Sequence, residues 1–315
     1  MNPNAAPQSR WNLDEVVAGL RQQRERWREA RQRSLDSGSR EVPARQQVQA
    51  IMDALCGALF PMRLGPPDLR QDSEDYYVGH TLDTALNALH GQVQLELSYA
   101  ARLGNDAHAD VAGRAQAIVR AFAGYLPEAR ALLDSDVEAA YLGDPAARSV
   151  DEVLVCYPGV MAVIYHRLAH QLYRLGVPLL ARIIAELSHS ATGIDIHPGA
   201  SIGRRFFIDH GTGVVIGETA VIGERVRLYQ AVTLGAKRFE SADDGSLVKG
   251  QPRHPIVEDD VVIYAGATIL GRVTIGKGSS IGGNVWLTRS VPPGSNITQA
   301  QSEHHAPNAP LPAGF

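Results

Sequence analysis

An apolar residue recurs at every sixth position through long stretches of the chain between Ile194 and Pro292. The markers form three runs: Ile196, Ile202 and Ile208; then Ile216, Ile222, Leu228 and Leu234; then Val257, Ile263, Ile269, Ile275, Ile281 and Leu287. Such a period is the signature of a parallel β-helix, whose markers point into a prism with three flat faces. Three hexapeptides, about 18 residues, are expected to complete one turn.

The six-residue period is interrupted at two points. Ile208 and Ile216 are eight residues apart, and we assign the two extra residues to the segment after Val214. The second interruption, Gly235–Pro255, is polar and contains no marker, and the period resumes at Val257. An insertion in a solenoid forms a loop at one corner, frequently on the binding face. The interruptions are therefore the places where a functional site is expected.

The part of the chain before the repeat has helical patterns. Apolar residues follow i, i+3, i+4, i+7 spacing in Val48–Leu59 and in Leu82–Leu97, and a further helix is predicted from Pro158 through Tyr173. We therefore predict an α+β organisation with three parts. These are an α-helical domain over 1–190, a β-helix over 191–292 with a loop inserted at 235–255, and an extended tail over 293–315.

Composition restricts the partners and the location of the protein. A net charge of −4 over 315 residues argues against a nucleic-acid partner. No apolar stretch reaches the roughly 18 residues of a membrane span, and the N-terminus lacks the apolar core of a signal peptide. Cys56 and Cys156 are expected to be buried free thiols in a reducing compartment. These observations predict a cytoplasmic protein without a membrane partner.

Asp195 and His210 are candidates for catalysis because they are charged or titratable groups at positions where a repeat normally has small residues. They are 15 residues apart, which places them in neighbouring coils on adjacent faces. A carboxylate that faces an imidazole sets its tautomer and stabilises its charged form, as a general base requires. A purely structural His–Asp pair fits the same pattern equally well.

Arg253 and His254 lie at the exit of the inserted loop. A guanidinium has the planar geometry that binds a carboxylate through two hydrogen bonds. The alternative is that Arg253 anchors the loop to nearby acidic residues, which are Asp243, Asp244, Glu258 and Asp259.

A metal site is a further alternative. His197, His210 and His254 could supply three imidazoles to zinc, as in the γ-class carbonic anhydrases. The adjacent pair Asp209-His210 is better suited to binding and deprotonating an organic substrate, so we expect no metal. His166 and His170 have i, i+4 spacing, but no third ligand is evident, and we interpret them as packing residues.

Four motifs, in their order and spacing, resemble those of the bacterial serine O-acetyltransferases. They are Asp195-Ile196-His197-Pro198, Asp209-His210-Gly211-Thr212-Gly213-Val214-Val215-Ile216-Gly217-Glu218-Thr219-Ala220, Gln230-Ala231-Val232-Thr233-Leu234-Gly235 and Arg253-His254-Pro255-Ile256. The similarity extends from about Gly143 to Pro293 and is more specific than the hexapeptides, which many acyltransferases share. It implies transfer of acetyl from acetyl-CoA to the hydroxyl of L-serine, the first step of cysteine biosynthesis, without a metal.

The resemblance also implies roles for the residues that match. His210 would be the general base that removes the serine hydroxyl proton, with Asp195 orienting it. Asp209 would receive the substrate ammonium together with Asp144, whose motif Gly143-Asp144-Pro145 begins before the last helices of the N-terminal part.

The remaining matches concern the substrate carboxylate and CoA. Arg253 and His254 would bind the carboxylate of serine. Gly235, Ala265 and Gly283 would lie along the CoA binding site, where small residues let the pantetheine arm approach the backbone closely.

Assembly and regulation are also implied by the resemblance. The prism would be left-handed, and the chains would form a homotrimer or a dimer of trimers with active sites between prisms. L-Cysteine would be a feedback inhibitor. A stable complex with O-acetylserine sulfhydrylase is not expected, because the chain ends in Phe315 where many members end in Ile. Three alternatives remain at this point: another acceptor such as homoserine or an amino sugar, γ-carbonic-anhydrase-like zinc chemistry, and a non-catalytic scaffold.

Overall fold

The computed structural model describes residues 11–30, 42–104, 110–237, 248 and 250–299. The chain divides into two units, Met1–Glu41 and Val42–Phe315. The first unit contains helix α1, Leu13–Ala30. The helices described in the second unit are α2 (Arg45–Leu59), α3 (Pro61–Leu64), a 3-10 helix (Gln71–Ser73), α4 (Glu74–Leu103), α5 (Val111–Gly143), α6 (Val150–Cys156), α7 (Pro158–Arg174) and α8 (Pro178–Thr192). The helices predicted around Val48–Leu59, Leu82–Leu97 and Pro158–Tyr173 correspond to α2, α4 and α7.

Fourteen short strands in the described residues follow α8. They are β1 (Asp195–Ile196), β2 (Ser201–Ile202), β3 (Phe207–Ile208), β4 (Val215–Ile216), β5 (Val221–Ile222), β6 (Arg227–Leu228), β7 (Thr233–Gly235), β8 (Ile256–Val257), β9 (Val262–Ile263), β10 (Thr268–Leu270), β11 (Thr274–Ile275), β12 (Ser280–Ile281), β13 (Trp286–Leu287) and β14 (Asn296–Ile297).

The strands form three parallel sheets, which are the faces of a prism. Sheet 1 has the order β1-β4-β7-β10-β13, sheet 2 has β2-β5-β8-β11, and sheet 3 has β3-β6-β9-β12-β14. Val262 pairs with Ser280, 18 positions later, so three hexapeptides complete a turn. The second residue of most strands is buried and the first points outward, as in β5, where Val221 is exposed and Ile222 is buried. The predicted order of a helical part followed by a parallel prism is confirmed.

Two details of the predicted boundaries differ from the structure. Helix α8 continues to Thr192, and β14 pairs with β12, so the prism extends to Ile297 instead of ending at 292. The two extra residues of the first interruption precede Val214 instead of following it. Ile208 pairs with Leu228, and Gly213 packs over Ala231, so the turn at 209–212 contains two residues more than its counterpart at 229–230. The pairing of Val215 with Thr233 then restores the register.

A buried ion pair connects the helices to the first coil of the prism. Arg167 of α7 donates to both carboxylate oxygens of Asp136 of α5, at 2.6 and 2.9 Å. Arg167 also donates to the carbonyl oxygen of Gly203 at 2.8 Å, and the backbone N–H of Phe206 donates to Asp136 at 2.9 Å. Both side chains are less than 5% exposed. The pair therefore joins α5, α7 and the turn before β3.

Histidines line the contact between α7 and the prism. His166 is buried, and the Nδ1 of His170 lies 2.8 Å from the carbonyl oxygen of Pro198. The ring of Tyr173 packs edge-on against His197, with 5.7 Å between ring centroids. Burial, followed by the charge of Arg182, lowers the pKa of His197 to about 4. The packing role predicted for His166 and His170 agrees with these contacts.

The structure bears on the predictions that both cysteines are buried and that no segment spans a membrane. Both cysteines are free, but Cys156 is exposed, so the prediction that both thiols are buried is wrong for this residue. Its position at the last turn of the short helix α6 leaves the side chain at the surface. None of the helices in the described ranges has the length and apolar character needed to cross a membrane.

Replacement of the buried carboxylate should be strongly destabilising. Asp136→Asn leaves the Arg167 guanidinium buried without a counter-charge, and we expect the free energy of unfolding to fall by about 3 kcal/mol. Asp134→Asn is the matched control, because Asp134 lies on the same helix and forms an exposed pair with Arg130 at 2.8 Å. The control should change stability by less than about 0.5 kcal/mol. Denaturant midpoints at one protein concentration measure both, and equal midpoints would contradict the role of the buried pair.

The stability of the fold should depend on the ionisation of His197. The unfolded state takes up a proton as the pH falls below about 6.5, whereas folded His197 stays neutral until about pH 4. Stability is therefore lost as the pH falls through this window. We expect His197→Gln to have a shallower decline in unfolding midpoint between about pH 7 and pH 5 than the wild type. His189→Gln, which alters an exposed histidine, should keep the wild-type decline. A His197→Gln slope equal to that of the control would exclude this explanation.

Candidate active site

Five side chains meet where sheet 3 turns into sheet 1, near the helical end of the prism. We call this group, which consists of Asp144, Tyr157, Asp209, His210 and Arg227, the acid cluster. The turns from sheet 3 to sheet 1 at 209–214, 229–232, 264–267 and 282–285 stack on one another and form the 3–1 corner. Asp209 and His210 follow β3, and Arg227 begins β6, the strand that pairs with β3. Asp144 and Tyr157 come from the ends of α5 and α6.

Asp144 is held by the turn that follows α5. Its Oδ1 accepts a hydrogen bond from the backbone N–H of Ala146 at 2.8 Å, and its Oδ2 accepts one from the Tyr157 hydroxyl at 2.5 Å. The hydrogen bond from Tyr157 lowers the pKa of Asp144, and the same contact raises the pKa of Tyr157 to about 12. Tyr157 is therefore a neutral donor and Asp144 an ionised acceptor at neutral pH.

Asp209 is buried beside Asp144 and has a charged partner. Its side chain is 10% exposed, and its Oδ2 accepts a hydrogen bond from Arg227 Nη2 at 2.7 Å. The guanidinium of Arg227 lies between the rings of Phe207 and Tyr229, at 5.0 and 4.6 Å from their centroids. Two carboxylates and one guanidinium thus share a small volume at this corner.

His210 projects from the enlarged turn into solvent. Its backbone has φ of 60°, and its side chain is 70% exposed. Its Nδ1 lies 3.7 Å from Asp209 Oδ1. The two extra residues of the turn move this imidazole outward from the line of the stacked corner, where it can reach a hydroxyl group of a bound molecule.

Asp195 is the first residue of β1, which pairs with β4 immediately after the turn that carries His210. Across the residues that the structure describes, no hydrogen bond or ion pair joins Asp195 to His210. Asp195 instead lies near Glu186 and His189 of α8, with one ligand atom of each within 4.8 Å of the others. This is the one group within the described ranges with donors and spacing that a metal ion could use, and Glu186 is also paired with Arg182 at 2.9 Å.

A second group of polar side chains lies at the corner between sheets 1 and 2, where the inserted loop emerges. We call His197, Glu218, Thr219, Arg253 and His254 the loop cluster. Arg253 Nη2 donates to Glu218 Oε2 at 2.6 Å, and the Tyr173 hydroxyl donates to Glu218 Oε1 at 3.0 Å. The backbone N–H groups of Arg253 and His254 donate to the Thr219 hydroxyl at 2.9 and 3.1 Å. The loop exit is therefore pinned to the preceding coil.

His254 is held in one tautomer. The backbone N–H of Thr219 donates to His254 Nδ1 at 3.1 Å, so Nδ1 is an acceptor and the neutral ring carries its proton on Nε2. Burial lowers the pKa of His254 to about 4, and the charge of Arg253 contributes in the same direction. The ring lies directly over Gly217, where any Cβ atom would overlap it. His254 is thus a neutral hydrogen-bond donor beside a guanidinium.

The predicted site residues fall into two groups within one chain. Asp144, Asp209 and His210 come together at the 3–1 corner, whereas Arg253 and His254 lie at the other edge of sheet 1. The acidic partner of Arg253 is Glu218, while Asp259 contacts Arg225 and Lys277. Asp243 and Asp244 lie outside the described residues. The three histidines proposed as zinc ligands do not meet within the chain, because His210 is at one corner and His197 and His254 are at another.

The residues predicted for CoA are also divided between corners. Ala265 and Gly283 stack in the 3–1 corner, where the backbone N–H of Asn284 donates to the carbonyl of Ala265 at 2.8 Å. A Cβ on Gly283 would come within 3.2 Å of that carbonyl oxygen. Gly235 ends β7 at the opposite edge of sheet 1, next to the inserted loop.

Four residues that support these clusters were not predicted from the sequence. They are Tyr157, Tyr173, Glu218 and Arg227. Arg227 could have been found, because it occupies an outward strand position one coil after Phe207 and so lies beside the Asp209 turn. The contacts of Tyr157 and Tyr173 depend on how the helices pack, which has no signal in the repeat.

Comparisons with known proteins agree with this architecture. Residues 254–289 match the family model described as bacterial transferase hexapeptide (six repeats). A protein of Synechococcus elongatus named serine acetyltransferase, plasmid, is 56% identical over 294 residues, which is 92% of both chains. A serine acetyltransferase of Mycobacterium tuberculosis is 49% identical over 179 residues, covering 57% of this chain and 74% of its own.

Solved structures are similar along most of the chain. Isoform 3 of serine acetyltransferase from Entamoeba histolytica, in complex with cysteine, has a TM-score of 0.69 at 36% identity and covers 82% of this chain and 83% of its own. The Neisseria gonorrhoeae enzyme in complex with serine has a TM-score of 0.52 at 25% identity, with coverage of 82% and 97%. Because the Synechococcus relative matches this chain over nearly its full length, the chain belongs to the serine acetyltransferase family.

Proposed function

We propose that the protein transfers an acetyl group from acetyl-CoA to the hydroxyl of L-serine, giving O-acetylserine and CoA. The observation that carries this proposal is the exposed imidazole of His210 beside the two ionisable carboxylates Asp144 and Asp209. The ammonium group of serine can bind to these two carboxylates. When serine is bound there, its β-hydroxyl lies within reach of a neighbouring base.

In this proposal His210 acts as the general base. It removes the proton from the serine hydroxyl while the oxygen attacks the carbonyl carbon of the thioester. The tetrahedral intermediate then breaks its C–S bond, and the imidazolium returns the proton to the thiolate of CoA. Asp195 is the proposed orienting carboxylate. It begins β1, which pairs with β4 immediately after the His210 turn, and the role requires its side chain to turn from Glu186 and His189 toward the imidazole.

The substrate carboxylate is assigned to Arg253 and His254 of a neighbouring prism. These two residues supply a guanidinium and a neutral Nε2–H donor, which suit a carboxylate. They lie at a different corner from His210, so a complete site needs a second chain. A homotrimer of left-handed prisms, or a dimer of such trimers, would bring the 3–1 corner of one prism against the loop cluster of the next.

The CoA molecule is assigned to the groove between prisms. Ala265 and Gly283 offer a stack of small residues along the same corner as His210, so the thioester can reach the imidazole. Gly235 lies at the loop-cluster edge and belongs, in a trimer, to the opposite wall of the groove. No metal is required for this chemistry.

L-Cysteine is proposed as a competing ligand. It has the ammonium and carboxylate of serine, and the Entamoeba histolytica enzyme was solved in complex with cysteine. The absence of a stable complex with O-acetylserine sulfhydrylase remains a prediction, since Phe315 lies outside the described residues. The cytoplasmic location also remains a prediction.

The direct test is release of free CoA from acetyl-CoA, measured with L-serine, with L-homoserine and without an acceptor. We expect release with serine, and inhibition by added L-cysteine that a higher serine concentration overcomes. His210→Asn should lower kcat by about 10²–10⁴-fold because the general base is lost. His80→Asn, which alters an exposed histidine of α4 outside both clusters, is the control and should remain active. If the enzyme prefers homoserine, then homoserine and not serine is the acceptor. If His210→Asn remains active, His210 is not the general base.

A mixing experiment tests whether the site lies between subunits. His210→Ala and Arg253→Ala chains should each be nearly inactive alone. In trimers reassembled from equal amounts of both, about a quarter of the sites combine an intact His210 with an intact Arg253 from the next chain. We expect activity to rise toward that fraction of the wild-type value. No recovery in confirmed mixed trimers would mean that both residues act within one chain.

A further inference from the structure

Arg227 is the charged residue of the acid cluster to which the proposed mechanism gives no task. Its guanidinium donates to Asp209 Oδ2 at 2.7 Å through Nη2, and its side chain is 24% exposed. Its Nε is buried without a hydrogen-bond partner. An unpaired buried N–H costs free energy. The side chain accepts this cost at Nε in the position where Nη2 can donate to Asp209.

The surroundings fix the guanidinium in this position. The rings of Phe207 and Tyr229 lie at 5.0 and 4.6 Å from its central carbon. Gly143 packs against Phe207 so closely that a Cβ there would be 3.0 Å from the ring and 3.7 Å from Arg227 Nη1. Asp209 itself is tied to the next coil, because its backbone N–H donates to the carbonyl of Leu228 at 2.8 Å. Neither member of the pair can move far without disturbing the first coil.

The two oxygens of Asp209 face different groups. Oδ2 is bound to Arg227, while Oδ1 lies 3.7 Å from Nδ1 of His210. Without the guanidinium, the carboxylate is free to turn toward the imidazole and stabilise its protonated form. A protonated imidazole cannot act as a base, and a carboxylate engaged with it is less available to an ammonium.

Charge in the cluster supports the same conclusion. The ionisable groups in and around it are the acids Asp144, Glu152, Tyr157, Asp209, Tyr229 and Tyr264 and the base His210. Apart from His210 all of these are acids, and within the described residues Arg227 is the permanent positive charge that is hydrogen-bonded to one of them, Asp209. The carboxyl groups here outnumber the single guanidinium, so the corner keeps an acidic excess that suits an ammonium.

We infer that Arg227 is a positioning residue, which aims Asp209 at the substrate ammonium and keeps it from stabilising protonated His210. This inference rests on the proposed function, since it concerns the same substrate and the same base. It identifies Arg227 as the residue that sets both serine affinity and the acid limb of the pH–rate profile.

The test compares Arg227→Met, which keeps the stem between the two rings but removes the charge, with Arg227→Lys, which keeps the charge. For Arg227→Met we expect the KM for serine to rise roughly tenfold, with the KM for acetyl-CoA changed by less than about twofold. The acid limb of kcat/KM for serine should move to higher pH by roughly half a unit or more, because a positive charge near the base is lost. Arg227→Lys should keep the acid limb at its wild-type position and raise only the KM for serine.

Arg225→Met is the matched control. Arg225 lies two residues earlier and also binds a carboxylate, Asp260, at 2.6 Å, but at the corner between sheets 2 and 3. It should leave both serine KM and the acid limb unchanged. In an Asp209→Asn background, Arg227→Met should change the serine KM by less than about twofold, since the two residues act as one unit.

The outcomes separate the inference from the proposed function. If the wild-type protein does not acetylate serine, both the proposed function and the inference that rests on it are wrong. An active wild type with Arg227→Met equal to Arg225→Met in serine KM and acid limb overturns the inference alone. An acid limb displaced by Arg227→Lys as far as by Arg227→Met also overturns it, because charge would then not be the cause. If Arg227→Met does not fold, Arg227→Lys and its combination with Asp209→Asn decide the question.

Discussion

The buried pair of Asp136 and Arg167 is the contact on which the arrangement of the acid cluster depends. It binds α5 and α7 to the turn that precedes β3, with both side chains removed from solvent. Because α5 continues from Asp136 to Gly143, this attachment determines where Asp144 emerges above β3. A buried pair of this kind contributes little net stability over apolar packing, but it penalises other orientations of the helices heavily, since separating it leaves an uncompensated charge. This attachment therefore sets the distance between the carboxylates of Asp144, which follows α5, and Asp209, which follows β3.

Within the prism, the regular coils stack on one another, and the proposed catalytic and binding residues lie in two irregular segments, the turn after Ile208 and the insertion after Gly235. Each inward marker packs on the marker one turn away, which leaves little freedom to the backbone of the coil. Two extra residues in the turn after Ile208 are absorbed without disturbing the register, because Val215 still pairs with Thr233. The surplus chain projects outward and carries His210 with it. The insertion after Gly235 similarly returns to register at β8, and its last residues become Arg253 and His254. Rigid coils thus hold the irregular segments at fixed positions.

Opposite charges organise the two clusters in the same manner. Arg227 holds Asp209 at one corner, and Glu218 holds Arg253 at the other, at 2.7 and 2.6 Å. In each case a residue assigned to the substrate has a partner of opposite sign from an adjacent coil, so its geometry is set before any ligand binds. The acid cluster has carboxylates that suit an ammonium. The loop cluster has the Arg253 guanidinium, paired with Glu218, and the Nε2–H of His254 as donors that suit a carboxylate. The proposed assembly of the site from two chains would account for the separation of the family-motif residues between two corners of one prism.

The sequence by itself determined the prism, because one apolar residue at every sixth position is buried when three hexapeptides form each turn of a three-faced coil. It also determined which residues interrupt that period, and the motif resemblance made His210, Asp209, Arg253 and His254 the proposed site residues. It assigned the extra residues of the first interruption to the wrong side of Val214, since marker spacing counts residues but does not say which turn accommodates them. Only the tertiary structure decided the partners from the helices, because Tyr157 and Tyr173 reach Asp144 and Glu218 through helix packing that no local pattern encodes. Arg227, in contrast, occupies a strand position that the repeat itself marks. Only the tertiary structure separated the acid cluster from the loop cluster, since the width of a sheet between two corners is a property of the folded prism.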